Sequence, residues 1–427
     1  MDPPAVEGAP ASGVERPDRA LGMLARLLAA THLTPPARLA EVVAECAADA
    51  GGGDVALLVV DLEQRVLVPV PGATGGVTGP LDVDGTVAGR AFVATRVLTV
   101  PADGGRTRLW VPVLDGTERL GVLGVVVDEP PQDATVALWE RFSHLVAQLL
   151  VSKSAYGDVF TSLRRRRPMT LAAELQWSLL PPLTFAAPGL VLSAALEPCY
   201  DGGGDALDYA VNGSTAHLLV LDAVGHGLAA AQTAALALAA YRQARRAGAG
   251  LVDTYTALDT ALSGDGERYA TAVLAELDLA SGRLSWVSAG HPEPLLLRGG
   301  RLVKTLATQP STPLGMPFAA GDVEVGTEHL EPGDRVLLYT DGLPEARQPD
   351  GSFFGVERLA EFIERAAAAG YAAPETLRRL RHAVLQHQDG RLQDDASALL
   401  VEWQRGAEAP LLPQTVEPGD DAPVTGA

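Results

Sequence analysis

The sequence predicts an α+β protein built as two domains, and three observations carry that prediction. Its 427 residues, 47% of them hydrophobic, exceed what one ordinary domain needs. In the front part a helical period gives way to strand-sized apolar runs. In the back part strand-like and helical stretches alternate, with acidic clusters where strands begin or end.

Residues 1–19 and 405–427 carry Pro, Gly and acid without an apolar period, which predicts disordered tails. From Leu21 to about Ala50 the apolar residues recur at helical spacing. Val55 to Val60, Val66 to Val68, Leu109 to Val113 and Leu120 to Val127 then read as strands between Gly, Asp and Pro turns. A leading helix, strand pairs ending in Leu120-Gly121-Val122-Leu123-Gly124-Val125, and a closing helix resemble a GAF sensory domain over residues 20–151. The resemblance implies an α/β/α sensor for a small-molecule or protein signal and nominates no ligand contact.

Leu138, Phe142, Leu145, Leu149, Ser152, Tyr156, Val159 and Leu163 step by four and three alternately, a heptad seam. It runs into Arg164-Arg165-Arg166-Arg167 and stops at Pro168; Leu171, Leu175 and Leu179 restart a helix that ends at Pro181-Pro182. Two readings fit residues 138–182: amphipathic helices packed on their own domains, or a helical, coiled-coil-like linker that joins a homodimer and passes a signal backward.

Charge excludes whole classes of function. Subtracting 53 acidic from 33 basic residues leaves a net charge of -20, which argues against an electrostatic grip on nucleic acid or anionic membrane. The four arginines read as a solvated basic linker. No apolar run is long enough to span a bilayer, and the acidic, proline-rich start is unlike a secretory signal. Only Cys46 and Cys199 are present, which suits a reduced, cytoplasmic chain without disulfide or structural zinc.

Four acidic clusters mark the back part. Gly202-Gly203-Gly204-Asp205-Ala206-Leu207-Asp208 enters the strand Tyr209 to Val211. Asp222 ends the strand Leu218 to Leu221 and opens Ala223-Val224-Gly225-His226-Gly227. Asp341-Gly342 ends the strand Val336 to Thr340, and Asp394-Asp395 opens the strand Ser397 to Glu402. In an antiparallel sheet the end of one strand lies beside the start of its neighbour, so these acids can share one edge. Gathered without a cation they would raise one another's pKa. An all-oxygen set with no Cys or His run at zinc spacing favours Mn²⁺ or Mg²⁺. Each cluster alone is the ordinary chemistry of a turn.

Taken in order, the motifs are specific. Ala172-Ala173-Glu174-Leu175-Gln176 through Leu179-Leu180-Pro181-Pro182, Gly203-Gly204-Asp205, Asp222-Ala223-Val224-Gly225-His226-Gly227, Ala289-Gly290-His291-Pro292, Pro313-Leu314-Gly315, Leu338-Tyr339-Thr340-Asp341-Gly342-Leu343 and Asp394-Asp395 resemble the SpoIIE/RsbU branch of the PPM-type serine/threonine protein phosphatases. The match spans about Leu171 to Glu402. It implies an α-β-β-α sandwich over residues 183–404 with two Mn²⁺ or Mg²⁺ ions at one edge. By motif, Asp205, Asp222, Asp341 and Asp394 would be metal ligands and Ala223 would offer its backbone carbonyl, with Asp208 and Asp395 as further ligands of water or a weaker ion.

Two-metal chemistry would activate water in line with phosphorus, so no covalent phosphoenzyme is needed. The sequence agrees in offering no Gly-x-Ser-x-Gly elbow, no cysteine nucleophile motif and no P-loop. His226 reads either as a proton donor or substrate-orienting group, or as a turn residue at the head of the next helix; His291 reads as a loop fastener between strands. Two departures stand out from the usual family pattern: Ala206 and Leu207 replace bulky aromatics, and Ser288 replaces an Asn. Both are expected at the substrate edge, where they would alter preference without removing an acid.

The resemblance further implies a substrate: a phosphorylated STAS-type anti-sigma-factor antagonist in a bacterial partner-switching pathway. Two other functions share the same residues. One is a catalytically silent scaffold that binds a phosphoprotein; the other is a metal-dependent hydrolase of small phosphate esters.

Overall fold

The computed structural model describes residues 15–413 apart from 129–130, 198, 265–267, 310, 317–321, 349 and 389–393. Two compact units divide the chain, the first made chiefly of residues up to Arg166 and the second of Arg167 to Leu412.

The first unit runs α1 (Glu15–Thr31), α2 (Leu39–Asp49), β1 (Gly53–Val60), β2 (Val66–Thr74), β3 (Leu81–Asp82), α3 (Val87–Ala94), β4 (Leu98–Pro101), β5 (Thr107–Asp115), β6 (Glu118–Val127), α4 (Asp133–Ser154) and α5 (Val159–Arg164). Its sheet has the order β3-β2-β1-β6-β5-β4. Successive strand residues face opposite ways. Val55, Leu57 and Val59 therefore pack with Trp139, Phe142 and Val146, while Ala56, Leu58 and Val60 meet Ala91 and Phe92. Helices α1, α2, α4 and α5 cover one face and α3 the other, an α/β/α layering.

Two expectations change here. Residues 15–19 belong to α1, so the tail read over 1–19 is helical at its end; residues 1–14 lie outside the described residues. The heptad stretch is not one rod either. Helix α4 ends at Ser154, Ser152 and Tyr156 are exposed, and α5 begins afresh at Val159. Leu138, Phe142, Leu145, Leu149, Val159 and Leu163 pack on the first unit's own core. A four-three stripe requires that one helix face be covered but does not say by what. Here the sheet covers it, so the stripe gives no reason to expect a two-chain coiled coil, and residues 138–182 are not a continuous linker.

The second unit runs α6 (Leu171–Leu179), β7 (Thr184–Ala187), β8 (Leu190–Glu197), β9 (Asp205–Asn212), β10 (Thr215–Ala223), α7 (Gly227–Arg246), α8 (Leu251–Leu262), β11 (Ala270–Asp278), β12 (Arg283–Ala289), β13 (Leu295–Arg298), β14 (Arg301–Thr305), β15 (Gly326–His329), β16 (Asp334–Tyr339), α9 (Val356–Ala368), α10 (Ala373–His387) and β17 (Ala396–Trp403). Two sheets result, β15-β12-β11-β10-β9 and β14-β13-β16-β17-β8-β7.

Alternation again assigns the faces. Leu218 and Val220 of β10 meet Val336, Leu338, Leu399 and Val401 of the other sheet in the central core. Leu219 and Leu221 instead pack under α7 and α8. On the far side Leu337 and Leu400 pack under α9 and α10. The layers are thus helix, sheet, sheet, helix, and the α+β class expected from the sequence holds. Leu411 is buried in the α9–α10 layer, so the tail read over 405–427 is packed at its start; residues 414–427 lie outside the described residues. No described helix is long and apolar enough to cross a membrane. Cys46 and Cys199 are buried and free.

Candidate metal centre

The strand ends meet at one edge of the sandwich, and residue parity decides what points into it. Asp205 is paired directly with Asp222 across β9 and β10. Leu207 lines the central core beside Leu218 and Val220, so Asp205 and Asp222, two residues further along their strands, continue that inner face. From the other sheet Thr340 continues the row of Val336 and Leu338, while Ser397 and Asp395 continue that of Leu399 and Val401. The Thr340 hydroxyl donates to Asp205 Oδ2 at 2.7 Å and accepts from the Ser397 amide at 2.9 Å. One threonine, which sequence reading passed over inside its motif, therefore ties the two sheets together. Gln176 of α6 adds a bond from Nε2 to the Asp205 carbonyl at 2.6 Å.

The glycines before Asp205 make room for this convergence. A Cβ on Gly203 would overlap the Asp395 carboxylate, and one on Gly204 would overlap the Ala223 carbonyl oxygen. The Asp395 carboxylate rests against the main chain of Gly204 and Asp205, which holds its pKa down in part. Asp394 accepts from the Asp395 amide at 2.9 Å and is exposed, as is Asp341.

Electrostatics shows that these acids share one space. Asp222 is pushed up to about 7 by burial first and then by Asp341, Asp394 and Asp395. Asp395 rises to about 6, again by burial and with repulsion from Asp394. Burial holds Asp205 well above the usual carboxylate range, with Asp222 and Asp395 adding to the rise. Asp341, exposed but partly enclosed, is raised by that partial burial and by Glu345 and Asp394.

Asp208 does not join them. It lies on the parity of Ala206, facing α7, and is 2% exposed. Arg242 Nε and Nη2 reach its carboxylate at 3.1 and 3.0 Å, and Arg245 Nη1 at 2.8 Å. Three residues along a strand is an odd step, which reverses the side, so Asp205 and Asp208 cannot serve one site. Ala206 and Leu207 are likewise buried, in the helix-side and central cores, and do not lie at a substrate edge.

His226 is exposed at the head of α7, between Gly225 (φ 89°) and Gly227 (φ 71°), and stands near enough to Asp395 to oppose the rise of its pKa. His291 is buried, with Nδ1 2.8 Å from Thr271 Oγ1. Burial drives its pKa down to about 3, so the ring is neutral.

Among the described residues, no three His, Cys, Asp or Glu side chains close on one point as a finished cage. The acids lie near one another along one strand edge instead, and the buried Asp205 Oδ1 has no hydrogen-bond partner. Hard ions that keep part of their water suit acids spread in this way, and Mg²⁺ or Mn²⁺ matches the all-oxygen donors. Cation charge would also offset the burial and mutual repulsion that raise Asp205, Asp222, Asp341 and Asp395.

The chain is similar to several known proteins. Residues 212–404 match the family model described as Stage II sporulation protein E (SpoIIE). Protein IcfG of Synechocystis sp. is 30% identical over 139 residues, 32% of this chain and 21% of IcfG. Phosphoserine phosphatase RsbP of Bacillus subtilis is 29% identical over 132 residues, 30% of this chain and 32% of RsbP. The matched segments thus span less than two thirds of those relatives' own length. A solved structure of the RsbU and RsbW domains of Rv1364c from Mycobacterium tuberculosis is 28% identical, covers 52% of this chain and 62% of that one, and has a TM-score of 0.43.

Proposed function

We propose, from the match of residues 212–404 to the SpoIIE family model, that this chain is a metal-dependent phosphatase acting on phosphoserine or phosphothreonine in a protein. The observation that carries the reading is the convergence of Asp205, Asp222, Asp341, Asp394 and Asp395 on one edge, with raised pKa values for the first three and the last. Asp205, Asp222, Asp341 and Asp394, with the Ala223 carbonyl, are the groups that would hold two Mn²⁺ or Mg²⁺ ions; Asp395 would hold their water.

When bound, the ions supply Lewis acidity that activates water and neutralises phosphoryl oxygens. The chain's own residues do the rest. Thr340 fixes the Asp205 carboxylate across the two sheets. The Gly203-Gly204 cradle sets the reach of Asp395. His226, near enough to Asp395 to act on its charge, would pass a proton to the departing serine or threonine oxygen.

The finer assignments rest on resemblance. The substrate is a phosphorylated STAS-type anti-sigma-factor antagonist in the cytoplasm, and the first unit is a GAF-like sensor that sets the output. Purified chain with Mn²⁺ and an aryl phosphate tests the activity. Asp222→Asn and Asp341→Asn should each cut turnover by about a hundredfold or more, and unaltered turnover in either would refute the assignment. A phosphoproteomic comparison of cells with and without the chain names the substrate.

A further inference from the structure

Beside the acidic edge lies a separate cavity of about 240 Å³, lined by Ser288, Gly290, His291, Glu293, Leu306 and Thr308. Its position follows from register. Gly290 bridges to Ala272, next to Thr271, which pairs with Asp222. Strand β12 is two places from β10 in its sheet, about 10 Å at ordinary strand spacing. In the other sheet β13 begins beside this cavity and neighbours β16, whose end carries Asp341.

The walls have a consistent chemistry. Glu293 is exposed and is the charged residue of the lining, because burial keeps His291 neutral. Thr308 Oγ1 is buried and has no hydrogen-bond partner. The wall that holds it is anchored next door, where the Gln309 amide donates to Glu324 at 3.1 Å. On the loop side the Ser288 hydroxyl donates to the His291 carbonyl at 3.2 Å. Leu306 and Gly290 supply an apolar surface. A carboxylate at the mouth, an unused hydroxyl inside and an apolar wall match a side chain with an aliphatic stem and a cationic head.

We propose that this cavity binds a lysine or arginine side chain of the phosphoprotein substrate, two or three residues from the phosphorylated one. An extended peptide advances about 3.3–3.6 Å per residue, so three residues cover the distance from the metal edge and two fall about 3 Å short, within the reach of a long basic side chain. The assignment rests on the phosphatase reading and adds to it a sequence preference, set by Glu293 and Thr308.

The test uses the full chain with Mn²⁺ and paired phosphoserine peptides, identical except for Lys, Arg or Gln at the second and third positions on either side. The readout is the ratio of kcat/KM between basic and Gln peptides, so any general change in activity cancels. We expect a preference for a basic residue at one of these positions of about fivefold, the size of one partly shielded charge pair. Glu293→Gln should bring the ratio close to one, and Thr308→Val should lower it. Equal ratios in the unmodified chain, or a preference that survives Glu293→Gln, would overturn the cavity assignment alone. No turnover of any peptide or of an aryl phosphate would overturn the phosphatase reading, and the cavity assignment with it.

Discussion

Asp222 and Asp208 illustrate how differently two acids of one motif region are used. Asp222 sits among like charges with its pKa at about 7, so its charge opposes folding of the metal-free chain. Asp222→Asn should therefore cut turnover by about a hundredfold or more yet raise the melting temperature of the second unit in the metal-free protein by about 2–4 °C, the shift expected for about 1 kcal/mol in a domain of that size. Calorimetry in a chelator reads this, and a large fall in melting temperature would count against the crowding. Asp208 is the opposite case, an acid whose side chain is 3% exposed and is held by two arginines. Asp208→Asn should cost about 3–5 kcal/mol, as breaking one half of a buried pair does. The Mn²⁺ concentration for half-maximal activity should stay the same in the molecules that fold; a strong rise would return Asp208 to the ligand set.

At the scale of elements, the site depends on side chains that join the two sheets. Facing sheets lie about 10 Å apart, and the Thr340 hydroxyl and Asp205 carboxylate reach across that space to a 2.7 Å hydrogen bond. The glycine run before β9 leaves room for the Asp395 carboxylate and the Ala223 carbonyl beside it. Gly203→Ala would push against a carboxylate, which can shift, whereas Gly204→Ala would meet the Ala223 backbone oxygen, which cannot without moving β10. We expect Gly203→Ala to fold and to bind Mn²⁺ about 10–100-fold more weakly, the usual effect of disturbing a supporting group. Titration calorimetry checks it. The expected pairing of acidic strand ends was legible because Asp-Gly steps and apolar runs are local signals. The Thr340 bond and the Arg242–Arg245 pair were not, because each joins residues distant in sequence and no periodicity marks a partner.

For the whole molecule the consequence is a dependence on pH. Folded pKa values of about 7 for Asp222 and about 6 for Asp395 stand above the 3.8 of a free aspartate. Between about pH 4 and pH 7 these two carboxyls carry more protons in the folded, metal-free chain than in the unfolded one, so their contribution to stability falls as pH rises through that window, while buried His291, at about 3, acts in the opposite sense below the range of a free imidazole. Melting temperatures in chelator should drop from pH 5.5 to pH 8, and Mn²⁺ should raise them most at pH 8, where protons no longer compete for the carboxylates. Because a net charge of -20 also repels itself at high pH, Asp222→Asn is the control: it should flatten the slope. An unchanged slope would remove Asp222 from the explanation. That same negative charge, scattered through the sequence, becomes functional only where the fold concentrates it.

By itself the sequence determined the α+β class, the strands and helices that carry each motif, and the chemistry of oxygen ligands, since backbone period and residue type are local properties. Only the tertiary structure decided that the heptad stripe packs on its own sheet, that Asp208 turns to α7 and away from the metal edge, and that Ala206 and Leu207 are core residues. In each case an apolar or charged face must be covered, and what covers it comes from far along the chain.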